Sequence, residues 1–187
     1  MTTKQSRSIY QIKISLIGTK PPIWRTVLVP SDLGLSAFHD VIQVVMGWED
    51  SHLHQFIANE KFYGTPDDDF GMEIEDESKY KLSQLLSKEK DTIIYEYDFG
   101  DSWEHKILLE KVLPFDSKNA LPVCIKGKRA CPPEDCGGIW GYEDLLEAIS
   151  NPNHPEHEHM LEWLGGEFDP GEFDLEVINK DLSMYCR

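Results

Sequence analysis

From residue 9 the chain alternates: Tyr10, Ile12, Ile14 and Leu16 are separated by Gln11, Lys13 and Ser15. A period of two predicts a half-buried strand over IYQIKISLIG. GTKPP then supplies a turn, and IWRTVLVP reads as the antiparallel partner, ending at Pro30. The period changes in AFHDVIQVVMG, where Phe38, Val41, Ile42 and Val45 share one helical face. Ser36 is the expected N-cap of that helix, and Gly47 closes it.

HLHQFIANEKFYG predicts a second hairpin turning at Asn59-Glu60, a weaker turn signal than Asn-Gly. The acidic run DDDFGMEIEDES at 67–78 reads as a loop, and KLSQLLSK as a short helix. TIIYEYDF and WEHKILLEKV are strong strand patterns joined by Gly100-Asp101-Ser102. A tight turn there would place Glu96 opposite His105 and Asp98 opposite Trp103. Strand-strand-helix-strand-strand order predicts an α+β fold with a mixed, β-grasp-like sheet over residues 8–114, covered on one face by the main helix.

After Pro114 the character changes. VCIKGKRACPPEDCGGIWG reads as a Cys-, Pro- and Gly-rich loop. Three helices should follow: YEDLLEAIS with Leu145, Leu146 and Ile149 on one stripe, one opened by Pro155, and one after Asp174. Residues 115–187 thus form an acidic helical extension packed on the sheet, within a single domain spanning 1–187. No Ser/Gly linker or internal repeat divides the chain.

Charge narrows the function classes. The net charge is −16, and between Arg129 and Lys180 there are thirteen Asp and Glu but no Lys or Arg. Such a surface repels phosphate backbones and argues against direct nucleic-acid binding. The plain reading is solubility; a basic partner or a bound divalent cation is the sharper one. No signal-peptide core and no run approaching a membrane span occur, so the cytoplasm is the expected location and no membrane partner is expected.

Several long motifs occur in order: PPIWR at 21–25, MGWEDSHLHQF at 46–56, YDFGDSWEH at 97–105, ACPPEDCGGIWGY at 130–142, and HPEHEHMLEWLGGEFDP. Together they make the chain resemble the plasmid pRiA4b ORF-3-like family from Ile9 to Leu182. The resemblance implies a soluble α+β protein of plasmids, mobile elements and chromosomes, and it offers no catalytic residues to carry over. Some members bear resolvase-like names, but no basic DNA-binding helix supports a recombinase here.

The chemistry must come from the residues. Asp98-Phe99-Gly100 spells a kinase motif, yet no glycine-rich loop, VAIK-like lysine or HRD loop accompanies it. His52 and His54, on one face of a strand, could hold zinc with His105 as a third ligand, or with Asp98, Asp101 or Glu96 instead. The plainer alternative is one histidine packed against aromatics and the other solvated. Glu96 opposite His105 reads as an acid-base pair or an ordinary cross-strand pair.

Cys124, Cys131 and Cys136 form an alternative structural zinc set, at spacings looser than a CX2C knuckle. His154, His157 and His159 read as a solvated first helical turn, with adventitious metal binding as the alternative. Gly137-Gly138 before a helix suggests a phosphate cradle, but Glu134, Asp135, Glu143 and Asp144 oppose an anion.

The leading expectation is a small binding or interaction module with an acidic, aromatic-containing cleft lined by His52, His54, Asp98, Asp101, Trp103, His105 and Trp140. It would recognise a protein or small-molecule partner. The alternatives are a metal-dependent hydrolase built on the His-X-His pair and an accessory protein of a mobile-element DNA transaction.

Overall fold

The computed structural model describes residues 7–66 and 73–186. Among these residues the centre is an eight-stranded mixed sheet whose order is β5 (Ile74–Asp76), β4 (Lys61–Gly64), β3 (His54–Ala58), β6 (Thr92–Tyr97), β7 (Trp103–Pro114), β1 (Ser8–Leu16), β2 (Trp24–Pro30) and β8 (Val123–Lys128). The first hairpin pairs β1 (Ser8–Leu16) with β2 (Trp24–Pro30), and Tyr10, Ile12, Ile14 and Leu16 are all buried, as the alternation requires. The second pairs β3 (His54–Ala58) with β4 (Lys61–Gly64). Asn59 and Glu60 form its turn with φ of 51° and 62°, the left-handed pair that a two-residue hairpin needs.

α1 (Leu35–Met46) buries Phe38, Val41, Ile42 and Val45 and ends at Gly47, whose φ is 87°. It begins two residues earlier than expected, and Gly34, not Ser36, is the N-cap. Leu35 is buried and its N–H donates to the Tyr80 carbonyl, so packing sets this helix start instead of a side-chain cap.

Within the acidic run, residues 67–72 lie outside the described residues. The remainder is more than a loop: β5 (Ile74–Asp76) adds to β4 in parallel, followed by a single 3-10 turn at Glu77–Lys79. α2 (Leu82–Leu85) is one turn long.

β6 (Thr92–Tyr97) and β7 (Trp103–Pro114) make the expected hairpin, with a register one residue away from the expected one. Tyr97 faces Trp103, Glu96 faces Glu104, and Tyr95 faces His105. Five residues form the connection, with Asp98 and Ser102 both at positive φ and the Ser102 N–H donating to the Asp98 carbonyl. A one-residue slip exchanges the partners, so Glu96 and His105 are not a pair.

The sheet also extends beyond residue 114. Val123–Lys128 of the expected loop is β8, the edge strand beside β2. Its inner register is held by Asn179, whose side chain accepts from the Cys124 N–H and donates to the Cys124 carbonyl, each at 2.8 Å. Asn179 belongs to α5 (Leu175–Tyr185), which Asp174 caps through the N–H groups of Glu176 and Val177. α3 (Gly138–Ser150) and α4 (His157–Leu164) complete the helices.

The chain order strand-strand-helix-strand-strand is therefore present. A β-grasp sheet is not carried by it, because β1 lies antiparallel to both β2 and β7. Among the described residues no helix is long and apolar enough to cross a membrane.

Candidate functional site

Three segments converge at one end of the sheet: residues 48–54, the β6–β7 connection, and residues 131–138. The Trp48 indole N–H donates to the Pro132 carbonyl at 3.0 Å. Glu134 accepts from the Glu49 N–H and from the Tyr97 hydroxyl, at 3.0 and 2.8 Å. Burial, then the neighbouring Glu134, pushes Tyr97 upward, so it remains a donor. The Asp98 N–H donates to the Leu53 carbonyl, and the Asp101 carboxylate accepts from the Gly137 N–H at 3.1 Å.

At the junction lie His52, Asp98 and Asp135. His52 Nε2 is 3.0 Å from Asp135 Oδ1 and 3.7 Å from Asp98 Oδ2. Asp98 Oδ1 is occupied separately by the Gly100 N–H at 2.9 Å. His52 Nε2 is shielded from solvent and has no hydrogen-bond partner, so the short approach of Asp135 lies off the N–H direction.

His54 belongs to a different cluster. Its ring stacks on His39 at a centroid distance of 3.5 Å and an interplanar angle of 7°. His54 Nε2 donates to Glu77 Oε2 at 2.9 Å, while His39 Nε2 donates to Asp50 Oδ1 at 2.8 Å. Burial first, and His54 second, lower the His39 pKa, which favours a neutral ring. Its Nδ1 is then the acceptor for the Tyr95 hydroxyl, which itself accepts from Gln43.

Although His39, Asp50 and His54 present ligand atoms within 4.8 Å of one another, their geometry does not suit one ion. A metal lies near the plane of an imidazole it ligates, and two parallel rings 3.5 Å apart share no such position. This cluster is a hydrogen-bonded wall behind β3.

The expected set of His52, His54 and His105 is therefore not assembled. His105 is fully buried, its Nδ1 donates to the Tyr95 carbonyl at 3.3 Å, and burial lowers its pKa to about 4. Trp103 is likewise fully buried and lines no cleft. Cys124, Cys131 and Cys136 do not form a metal set either: among the described residues no cluster of three ligand atoms includes a cysteine. Burial raises all three thiols. His157 Nδ1 donates to the Ala148 carbonyl, and His154 Nδ1 accepts from the Glu156 N–H, so both brace their turn.

Of the seven residues expected in a cleft, His52, Asp98 and Asp101 meet at the junction. Trp140 follows on the first turn of α3, 80% exposed. Asp135 continues into a cleft of about 350 Å³ between α3 and α4, lined also by Asp144, Leu145, His159, Met160 and Trp163. A second groove, of about 670 Å³, runs beside α1 and α5 past Asp40, Asp50, Asp181 and Tyr185. Sequence reasoning missed His39 as a partner of His54. It treated Asp135 only as an obstacle to anions, although its place between Pro132-Pro133 and Gly137-Gly138 marks a carboxylate on a constrained loop.

The architecture defines a mixed α+β protein whose polar site is assembled by loops at one sheet end. The chain belongs to the plasmid pRiA4b ORF-3-like protein family, whose model matches residues 8–177. It is 36% identical over 178 residues to "Uncharacterized protein y4hQ" of Sinorhizobium fredii (strain NBRC 101917 / NGR234), covering 92% of this chain and 90% of that one. It is 40% identical to MM3350 of Methanosarcina mazei Go1, a protein of unknown function with a crystal structure. That structure superposes with a TM-score of 0.82 over 91% of this chain and 97% of the other.

Proposed function

We propose that the protein is a binding module for a basic segment of a partner protein, held in the cleft between α3 and α4. The observation that carries this reading is the pairing of Trp163, 45% exposed, with the carboxylates of Asp135 and Asp144 in one cleft. An exposed tryptophan beside two carboxylates suits the aliphatic stem and charged head of Lys or Arg. Neither Lys nor Arg is among the described residues that line the cleft. Trp140 extends the surface, one helical turn before Asp144.

Selection of a random peptide display library on the immobilised full chain tests the proposal. The expected result is enrichment of Lys- and Arg-containing peptides whose affinity falls with salt. Trp163→Ala and Asp144→Asn should each weaken the selected peptides by roughly tenfold or more, and Asp181→Asn in the α1–α5 groove should not. Selected peptides without basic enrichment, or a loss confined to Asp181→Asn, would overturn the reading.

A further inference from the structure

We infer that His52 Nε2, Asp98 Oδ2 and Asp135 Oδ1 form a site for a zinc-class divalent cation. Each of the three residues offers a ligand atom within 4.8 Å of those of the other two, and they come from three separate segments. Bonds of about 2.0–2.1 Å to a tetrahedral ion place ligand atoms about 3.3–3.4 Å apart. The two edges from His52, 3.0 and 3.7 Å, bracket that length. Each edge differs from it by only a few tenths of an ångström, and Asp135, whose side chain is largely exposed, is free to adjust.

The hydrogen-bond pattern points to a cation independently of the acidic charge. A histidine beside two carboxylates ordinarily donates to one of them. Here both ring-facing oxygens approach Nε2, yet neither takes a hydrogen bond from it, and the nitrogen has no contact with solvent. Deprotonated, Nε2 offers a lone pair to the same space that the two carboxylate oxygens border. Asp98 divides its two oxygens accordingly: Oδ1 fastens the β6–β7 connection through Gly100, and Oδ2 faces His52.

One imidazole and two carboxylates favour zinc or another first-row transition ion over magnesium or calcium, which prefer oxygen alone. Three protein ligands leave a fourth position open. The surrounding contacts supply the outer support such a site needs: Glu134 and Asp101 fix the 131–137 segment through Tyr97 and Gly137. Asp135 borders both this site and the α3–α4 cleft, but Trp163 and Asp144 take no part in the metal site, so zinc binding stands or falls separately from peptide binding.

The test is calorimetric titration of the chelator-treated full chain with zinc chloride, repeated with cobalt chloride while recording visible absorption. One equivalent of zinc per chain and the intense absorption of tetrahedral cobalt are expected. His52→Gln and Asp135→Asn should each lower zinc affinity by roughly tenfold or more. Circular dichroism of both variants should match the parent, which separates ligand loss from unfolding; exposed Asp135 makes the second variant the safer one to fold. Zinc affinity unchanged in both variants, or no zinc binding, would overturn the inference.

Discussion

Gly138 lies directly against the backbone of Asp101: a Cβ added at 138 would sit 2.6 Å from the Asp101 carbonyl oxygen. Its φ is +69°, so both the contact and the conformation demand glycine. This approach seats the start of α3 on the β6–β7 connection and holds Asp135 beside His52. Gly138→Ala should destabilise the fold by roughly 1–3 kcal/mol, measured by urea denaturation. An unchanged midpoint would mean that the α3 start moves freely relative to the hairpin.

The buried His105 makes a signed prediction about pH. Its folded pKa, about 4, lies below the ordinary value of 6.5 because burial disfavours the charged ring. The unfolded chain therefore binds the proton more readily, and the contribution of His105 is fully present above pH 6.5. It is lost as pH falls from about 6.5 to about 4, amounting to roughly 3 kcal/mol. Urea stabilities of the parent and His105→Phe, compared between pH 7 and 5, should converge as pH falls. Parallel pH profiles would contradict this.

Arg25 of the PPIWR motif is a structural pin. It is buried, donates from Nε to the Val45 carbonyl at 2.7 Å, and donates from one terminal nitrogen to the carbonyls of Trp24 and Lys128. The guanidinium also lies 4.9 Å from the Phe173 ring, linking α1, β2, β8 and the C-terminal segment. A lysine cannot reproduce this fork. Arg25→Lys should cost roughly 2–4 kcal/mol in thermal or urea unfolding; a cost below measurement error would show that the carbonyls find other donors.

Cys124 and Cys131 should react slowly as thiols. Burial pushes Cys124 up to about 11, and Cys131 is raised further by the same cause. At pH 8 in native buffer, iodoacetamide should modify these two roughly a hundredfold more slowly than in urea, read by peptide mass mapping. Rapid native labelling of Cys131 would show that the 131–137 segment opens readily.

Local patterns in the sequence were enough for most elements. Alternation in β1, the apolar stripe of α1 with Gly47 at its end, the Asn59-Glu60 turn and the Asp174 cap all depend on residues within a turn or two of one another. Short-range sterics and amphipathic periodicity decide such features, so they are legible without a partner. The motif stretches that revealed the family also contained His52, Asp98, Asp101 and Trp140, though not their arrangement.

What only the tertiary structure decided were relations across the chain. The five-residue β6–β7 connection set a register that sent His105 into the core and separated it from Glu96. β8 became a strand because β2 offered an open edge and Asn179 satisfied Cys124 from the other side. Asp135 reached His52 across 83 positions through the anchoring of residues 131–138 on Trp48, Tyr97 and Asp101. Local periodicity carries no term for such pairings; hydrogen bonding and burial between distant segments select them, and the candidate site exists only where those segments meet.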